Sequence, residues 1–175
     1  MSVSLLRPPA RAGSRPSRPA RLGVAELLHT TDLAAGEVLD GRYNDLLPSL
    51  GADGFSWLGG DDDLDVWLVG WSPHGSVGLH DYGEVQGAIT VLSGELIESR
   101  WDGEKLRDRR LAAGDQAGIP VGWVHDVRPE PTAGSALSVH AFSPPLTVMS
   151  YYDITGRGWL RHRRTELTAH PVGAA

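Results

Sequence analysis

Three histidines of this chain, His80, His125 and His140, sit inside strand-like runs, and neutral imidazole is the commonest side-chain ligand for metal ions. His80 opens HDYGEVQGAITVLSG (residues 80–94), and two residues on, where a second histidine would complete a simple metal site, stands Tyr82. His125 closes GDQAGIPVGWVH (114–125), and His140 lies in SALSVHAFSP (135–144). Side chains alternate across a strand, so His80, Tyr82 and Glu84 are expected on one face. Turn-forming residues at Gly114, Pro120 and Gly122 are expected to bring His125 to the same point. His80, Glu84 and His125 would give two imidazoles and a carboxylate, a set that suits non-haem iron with open positions. Tyr82 is either a ligand or a pocket-lining aromatic whose hydroxyl bonds His80 or His125; as a ligand, its phenol, with an ordinary pKa of about 10, needs the metal's help to ionise. The other histidines carry less: His29 lies in a helical stretch, His74 in a turn, His162 among arginines and His170 near the C-terminus.

The elements that would hold these residues are mostly short strands. DVWLVGWSP, AITVLSGELIESRW, KLRDRRL, VHDVRP, SALSVHAFSP and LTVMSYYDI all have strand character, with Gly, Pro and Asp between them. Asp102-Gly103 reads as a type I′ hairpin turn. Six or more such strands predict an antiparallel sandwich or small barrel. Before them, the chain from Val24 to Leu47 is helical in character: VAELLHTTDLAAGEVL spaces Leu27, Leu28, Leu33 and Val38 at helical intervals, with Thr31 or Asp32 placed to cap a second helix and Asp40-Gly41 to end it. GADGF and GGDDDLD, between residues 51 and 65, read as loop and turn. The basic stretch after Asp153 reads as a final strand or a surface strap. Trp67, Trp71, Trp101 and Trp123 read as core aromatics. Asp81 and Asp126, each beside a candidate ligand, are expected on the opposite face, where they could meet Arg128.

Composition narrows the classes of function. A chain of 175 residues suffices for one domain with a real core. With no cysteine, disulfides, thiolate catalysis and cysteine-based zinc sites are excluded. No apolar run reaches the roughly 18 residues of a membrane span, and no signal-peptide stretch is visible, so a soluble cytoplasmic protein is expected. Residues 1–25 carry five of the 16 basic residues (Arg7, Arg11, Arg15, Arg18 and Arg21) and none of the 22 acids. With four prolines besides, residues 1–23 read as a disordered arm, followed by one domain over 24–160 and a tail over 161–175. The acidic body argues against nucleic acid as the main partner.

The motifs resemble those of the cupin superfamily. Residues 114–129 follow G-x5-P-x-G-x2-H-x3, with Pro129 where the second cupin motif ends in Asn. In the first motif, His80 and Gly94 fall in register, Tyr82 takes the place of the second His, and Gly87 that of the Glu. SALSVHAFSPPLTVMSYYD (135–153) further resembles the cysteine dioxygenase family of thiol dioxygenases, whose members use no carboxylate ligand. The resemblance implies an all-β fold, a small cupin barrel or jelly roll with a short N-terminal helical region. It also implies ferrous iron, and oxidation of a small thiol substrate by O2 to its sulfinic acid. Carried over, His80 and His125 match iron ligands, with Tyr82 at the remaining ligand position. Ser138 and His140 match the serine and histidine of a Ser-His-Tyr relay, whose tyrosine is here Phe142. The family's substrate-binding arginine has no counterpart between Gly51 and Asp65; Arg42 is the nearest. Two readings follow: an iron-dependent, dioxygenase-like enzyme, or a non-catalytic cupin that has lost its metal and binds a small ligand or serves as a scaffold.

Overall fold

The computed structural model describes residues 21–50 and 53–171, so most of the expected N-terminal arm lies outside the described residues. The chain opens with α1 (Val24–Leu39), and α2 (Leu47–Leu50) is a single turn. Eleven strands follow among the described residues: β1 (Phe55–Gly60), β2 (Asp65–Trp71), β3 (His80–Asp81), β4 (Gln86–Ser93), β5 (Glu95–Trp101), β6 (Leu106–Ala112), β7 (Gln116–Ile119), β8 (His125–Pro129), β9 (Ala136–Ser143), β10 (Val148–Ile154) and β11 (Leu160–Leu167). They form two antiparallel sheets, ordered β1-β2-β9-β4-β7 and β11-β10-β3-β8-β5-β6. This is the all-β jelly roll that the resemblance implied.

Strand alternation distributes the core. Ile89 and Val91 of β4, Val69 and Trp71 of β2 and Phe142 of β9 face the space between the sheets, where they meet Leu96, Leu111, Val127 and Met149. The intervening residues Leu68, Ala88, Val139 and Ala141 face outward and are covered by Leu27, Ala34, Ala35 and Val38 of α1. Burial on both faces explains why β9 reads as an almost continuous apolar run. At Gly118 of β7 a Cβ would come within 2.3 Å of Val24, so glycine there lets α1 lie directly on the sheet.

Several local expectations change. The helix does not restart at Thr31 or Asp32: Thr31 bonds back to the Leu28 carbonyl and accepts a hydrogen bond from Thr90 at 2.8 Å, which anchors one continuous helix to β4. The Glu26 carboxylate accepts from the Gly23 N–H at 2.7 Å and closes its first turn, and Asp40 caps its end. Residues 55–60, expected to be loop, form edge strand β1 against β2, because pairing with β2 overrides their glycine-rich composition. Residues 116–119 form β7 inside a stretch that reads as turn, by pairing with β4. The β5–β6 turn is centred on Gly103-Glu104, and only Gly103 has positive φ (104°), so it is not type I′, which needs both. Of the two readings of the basic stretch after Asp153, the final strand holds: it is β11, paired along β10.

Candidate active site

β3 is two residues long, and its register sets His80 directly opposite His125 of β8. Residues paired across antiparallel strands carry their side chains to the same face. The two imidazole rings lie 4.7 Å apart between centroids, in the barrel interior, with 1% and 0% of their surfaces exposed. After Asp81 the chain turns: Gly83 takes φ 61°, its N–H bonds the Asp81 carboxylate at 2.9 Å, and the Val85 N–H bonds the Tyr82 carbonyl. Tyr82 stays inside, with its ring 4.9 Å from Phe142 and 5.7 Å from His125. Period-two alternation fails beyond the turn, so Glu84 leaves the face it was expected to share. It is exposed and pairs with Arg21 at 3.2 Å, which removes it as a source of the oxygen ligand.

Hydrogen bonds assign the protons. His80 Nδ1 lies 2.8 Å from the Gly78 carbonyl, which can only accept, so Nδ1 carries the proton. Its Nε2 therefore offers a lone pair, and the Tyr82 hydroxyl, 2.9 Å away, donates to it. Burial, then the neighbouring His125, pulls the His80 pKa down to about 3, against the pull of the Gly78 carbonyl. Burial pushes the Tyr82 phenol well above its ordinary value, and the negative charge of Glu98 adds to this.

On His125 the outer nitrogen, Nδ1, is 3.0 Å from Glu98 Oε1. Glu98 belongs to β5 and is fully buried, and Arg109 and Arg100 reach it at 2.5 and 3.2 Å. Burial alone would raise its pKa, but the hydrogen bond and charge of His125, with the two arginines, prevail and hold it at about 2. The carboxylate accepts from the Nδ1–H of His125. Nε2 of the same ring is buried and has no hydrogen-bond partner among the described residues.

On the facing sheet, Ser138, His140 and Phe142 alternate along β9 as expected. Ser138 Oγ and His140 Nε2 are 2.9 Å apart, and burial followed by His125 lowers the His140 pKa to about 3. Phe142, fully buried, lies between His140 and Tyr82, at 6.2 and 4.9 Å from their rings. Trp71, expected as a core aromatic only, also donates its indole N–H to Ser138 Oγ at 2.8 Å. Asp81 and Asp126 stand on the outer side as expected. Asp126 meets Ser76, the Gly78 N–H and Arg128, while Asp81 accepts from Tyr152 at 2.6 Å. Arg42 is not at the site: it pairs with Glu37 on the surface.

Do these residues fit a metal ion? Among the described residues no three His, Cys, Asp or Glu side chains are grouped to hold one. The donors that meet are two imidazoles and the phenol oxygen of Tyr82. Each imidazole has its outer nitrogen anchored, one on a carbonyl and one on a carboxylate, as metal-ligating histidines characteristically do. The unpartnered Nε2 of His125 is the atom such a site would engage. By donor chemistry the set would offer an ion two nitrogens and one oxygen, the oxygen once the Tyr82 phenol gives up its bond to His80. Sequence reasoning passed over Glu98, although alternation through Leu96 and Glu98 places an acid on the inward face of a strand. It also passed over Trp71 as a hydrogen-bond donor, for which the sequence carries no signal.

A profile of the family described as Cysteine dioxygenase type I matches residues 55–155, a span that contains every one of these side chains. Among solved structures, the chain is similar to an oxalate oxidase in complex with the substrate analogue glycolate (25% identity, 46% of this chain and 42% of that one, TM-score 0.42). It is also similar to KdgF from Halomonas sp. (18% identity, 54% and 82%, TM-score 0.48). The protein TT1209 from Thermus thermophilus aligns at 20% identity over 56% and 93%, with a TM-score of 0.47.

Proposed function

Because the chain belongs to the cysteine dioxygenase type I family, we propose that it is an iron-dependent oxidoreductase that oxidises a small, thiol-type substrate with O2. His80, Tyr82 and His125 would hold the iron, and Ser138 and His140 would order the substrate or O2 beside it. Bound ferrous iron supplies the redox chemistry that O2 requires. The protein's part is to hold His80 by its Nδ1–H on the Gly78 carbonyl and His125 by its Nδ1 on Glu98, so that both Nε2 atoms face the interior, and to exclude bulk water from the barrel. The observation that carries this reading is the buried, partnerless Nε2 of His125, backed through Nδ1 by the charged Glu98. An orphaned polar atom in a dry interior is costly, and a ligand role gives it a use.

A second reading, a metal-free cupin that binds a small ligand or serves as a scaffold, is favoured by one specific observation. The Tyr82 hydroxyl already occupies the lone pair of His80. Metal analysis separates the two. Protein purified without a metal-binding tag should hold about one iron per chain, lost in His80→Ala and His125→Ala. Oxidised to the ferric state, it should absorb in the visible through the phenolate, and Tyr82→Phe should bleach that band. Folded protein that stays iron-free after incubation with ferrous salt defeats the enzyme reading. Oxygen uptake with cysteine, cysteamine and 3-mercaptopropionate then tests the substrate. Since no arginine stands in the family's substrate-binding position, cysteine should be turned over poorly, and rapid formation of its sulfinate would contradict this.

A further inference from the structure

We infer that Trp71 is a positioning residue for His140: through Ser138 it holds that imidazole with its proton on Nδ1, leaving a free N–H donor inside the barrel. Strands β2 and β9 pair side by side, with Val69 opposite Ser138 and Trp67 opposite His140, so the three side chains of the chain Trp71–Ser138–His140 come from adjoining strands. All three are 3% exposed or less. Indole Nε1–H can only donate, and it lies 2.8 Å from Ser138 Oγ, so the serine oxygen is an acceptor there. The 2.9 Å contact between Ser138 Oγ and His140 Nε2 then has two possible polarities.

If Nε2 carried the proton, Ser138 would accept twice, its own hydroxyl hydrogen would have no acceptor, and the Nδ1 lone pair would also go unpaired. If instead Ser138 donates to Nε2, a single group is left over, the N–H on Nδ1. His140 Nδ1 indeed has no partner among the described residues. Each unmade hydrogen bond in a dry interior carries the full desolvation penalty of its group, so the arrangement that leaves one unmade prevails over the one that leaves two. The Trp71 donor thus gives the relay a direction, from β2 towards the interior. The ring of Phe142, 6.2 Å from His140, offers that N–H no lone pair. The free donor recognises a ligand with a hydrogen-bond acceptor, such as a carboxylate, carbonyl or thiolate. This is a property of the metal-free protein, so a negative iron analysis leaves it standing, and its own failure leaves the iron reading untouched.

The test is the ring tautomer of His140 in the full chain, metal-free and labelled with 15N-histidine, read from long-range proton–nitrogen correlations. The expected wild-type spectrum has a pyrrole-type Nδ1 and a pyridine-type Nε2, a single tautomer. Trp71→Phe keeps a ring in place but removes the donor, and both nitrogen shifts should move towards the average of the two tautomers. A proton on Nε2 in the wild type overturns the inference. So does a Trp71→Phe spectrum with the wild-type tautomer, because an indole that only packs would leave it unmoved. Should Trp71→Phe fail to fold, Ser138→Ala cuts the same relay one link on: a shift there supports the inference, and an unchanged tautomer overturns it.

Discussion

At the residue scale the site depends on which nitrogen carries each proton, and the strongest control on that is Glu98. It is a charged carboxylate with no surface exposed, bonded to His125 and gripped by Arg100 and Arg109. Glu98→Gln retains the shape and an oxygen acceptor but removes the charge. Loss of an outer partner of a ligating histidine typically costs about 10- to 100-fold in metal affinity, and that is the expected drop in a chelator competition. Equal affinity in the variant would reduce Glu98 to a packing role. Its importance was only partly legible beforehand. Alternation in GELIESRW turns the acid inward, but the partner that makes this tolerable lies 27 residues away on β8. Trp71 was less legible still, since an indole on a strand carries no mark of the hydroxyl it will meet.

At the element scale, a two-residue strand and a handful of turns do most of the positioning. β3 is only two residues long, yet its pairing with β8 decides that His80 and His125 meet. The turn after it decides that Tyr82 stays while Glu84 goes to solvent. The glycines of the two motifs were legible because backbone sterics leave no substitute. Gly94, between β4 and β5, takes φ 73°, and a Cβ there would lie 2.4 Å from the Ser135 carbonyl oxygen. Gly94→Ala therefore combines a left-handed backbone with a clash against main chain. It should destabilise the protein by about 1–3 kcal/mol, measured by urea unfolding. A loss of a few tenths would mean that the turn relaxes freely.

At the scale of the whole molecule, two buried imidazoles in the barrel make folding sensitive to acid. The pKa values of His80 and His140 fall from an ordinary 6.5 to about 3, chiefly through burial. Above pH 6.5 both are neutral whether folded or not. Below it the unfolded chain takes up protons that the folded chain refuses, so stability drains as pH falls from 6.5 towards 3. Each imidazole should cost about 2 kcal/mol between pH 6.5 and 5. Urea unfolding of metal-free protein across that range should show the loss, and His140→Asn should lose about 2 kcal/mol less over the same interval. A variant that tracks the wild type would exclude His140 from the balance. No helix among the described residues is long and apolar enough to cross a membrane. What the sequence determined by itself was local: period-two strands, helical character from Val24 onward, and turns that only glycine or proline can make, because these rest on sterics within a few residues. The tertiary structure alone decided the long-range pairs and what they leave over: the Glu98–His125 pair, the Trp71–Ser138 bond and the unpartnered Nε2 of His125. Those partners come from different strands, and only strand register brings them within a hydrogen bond's reach.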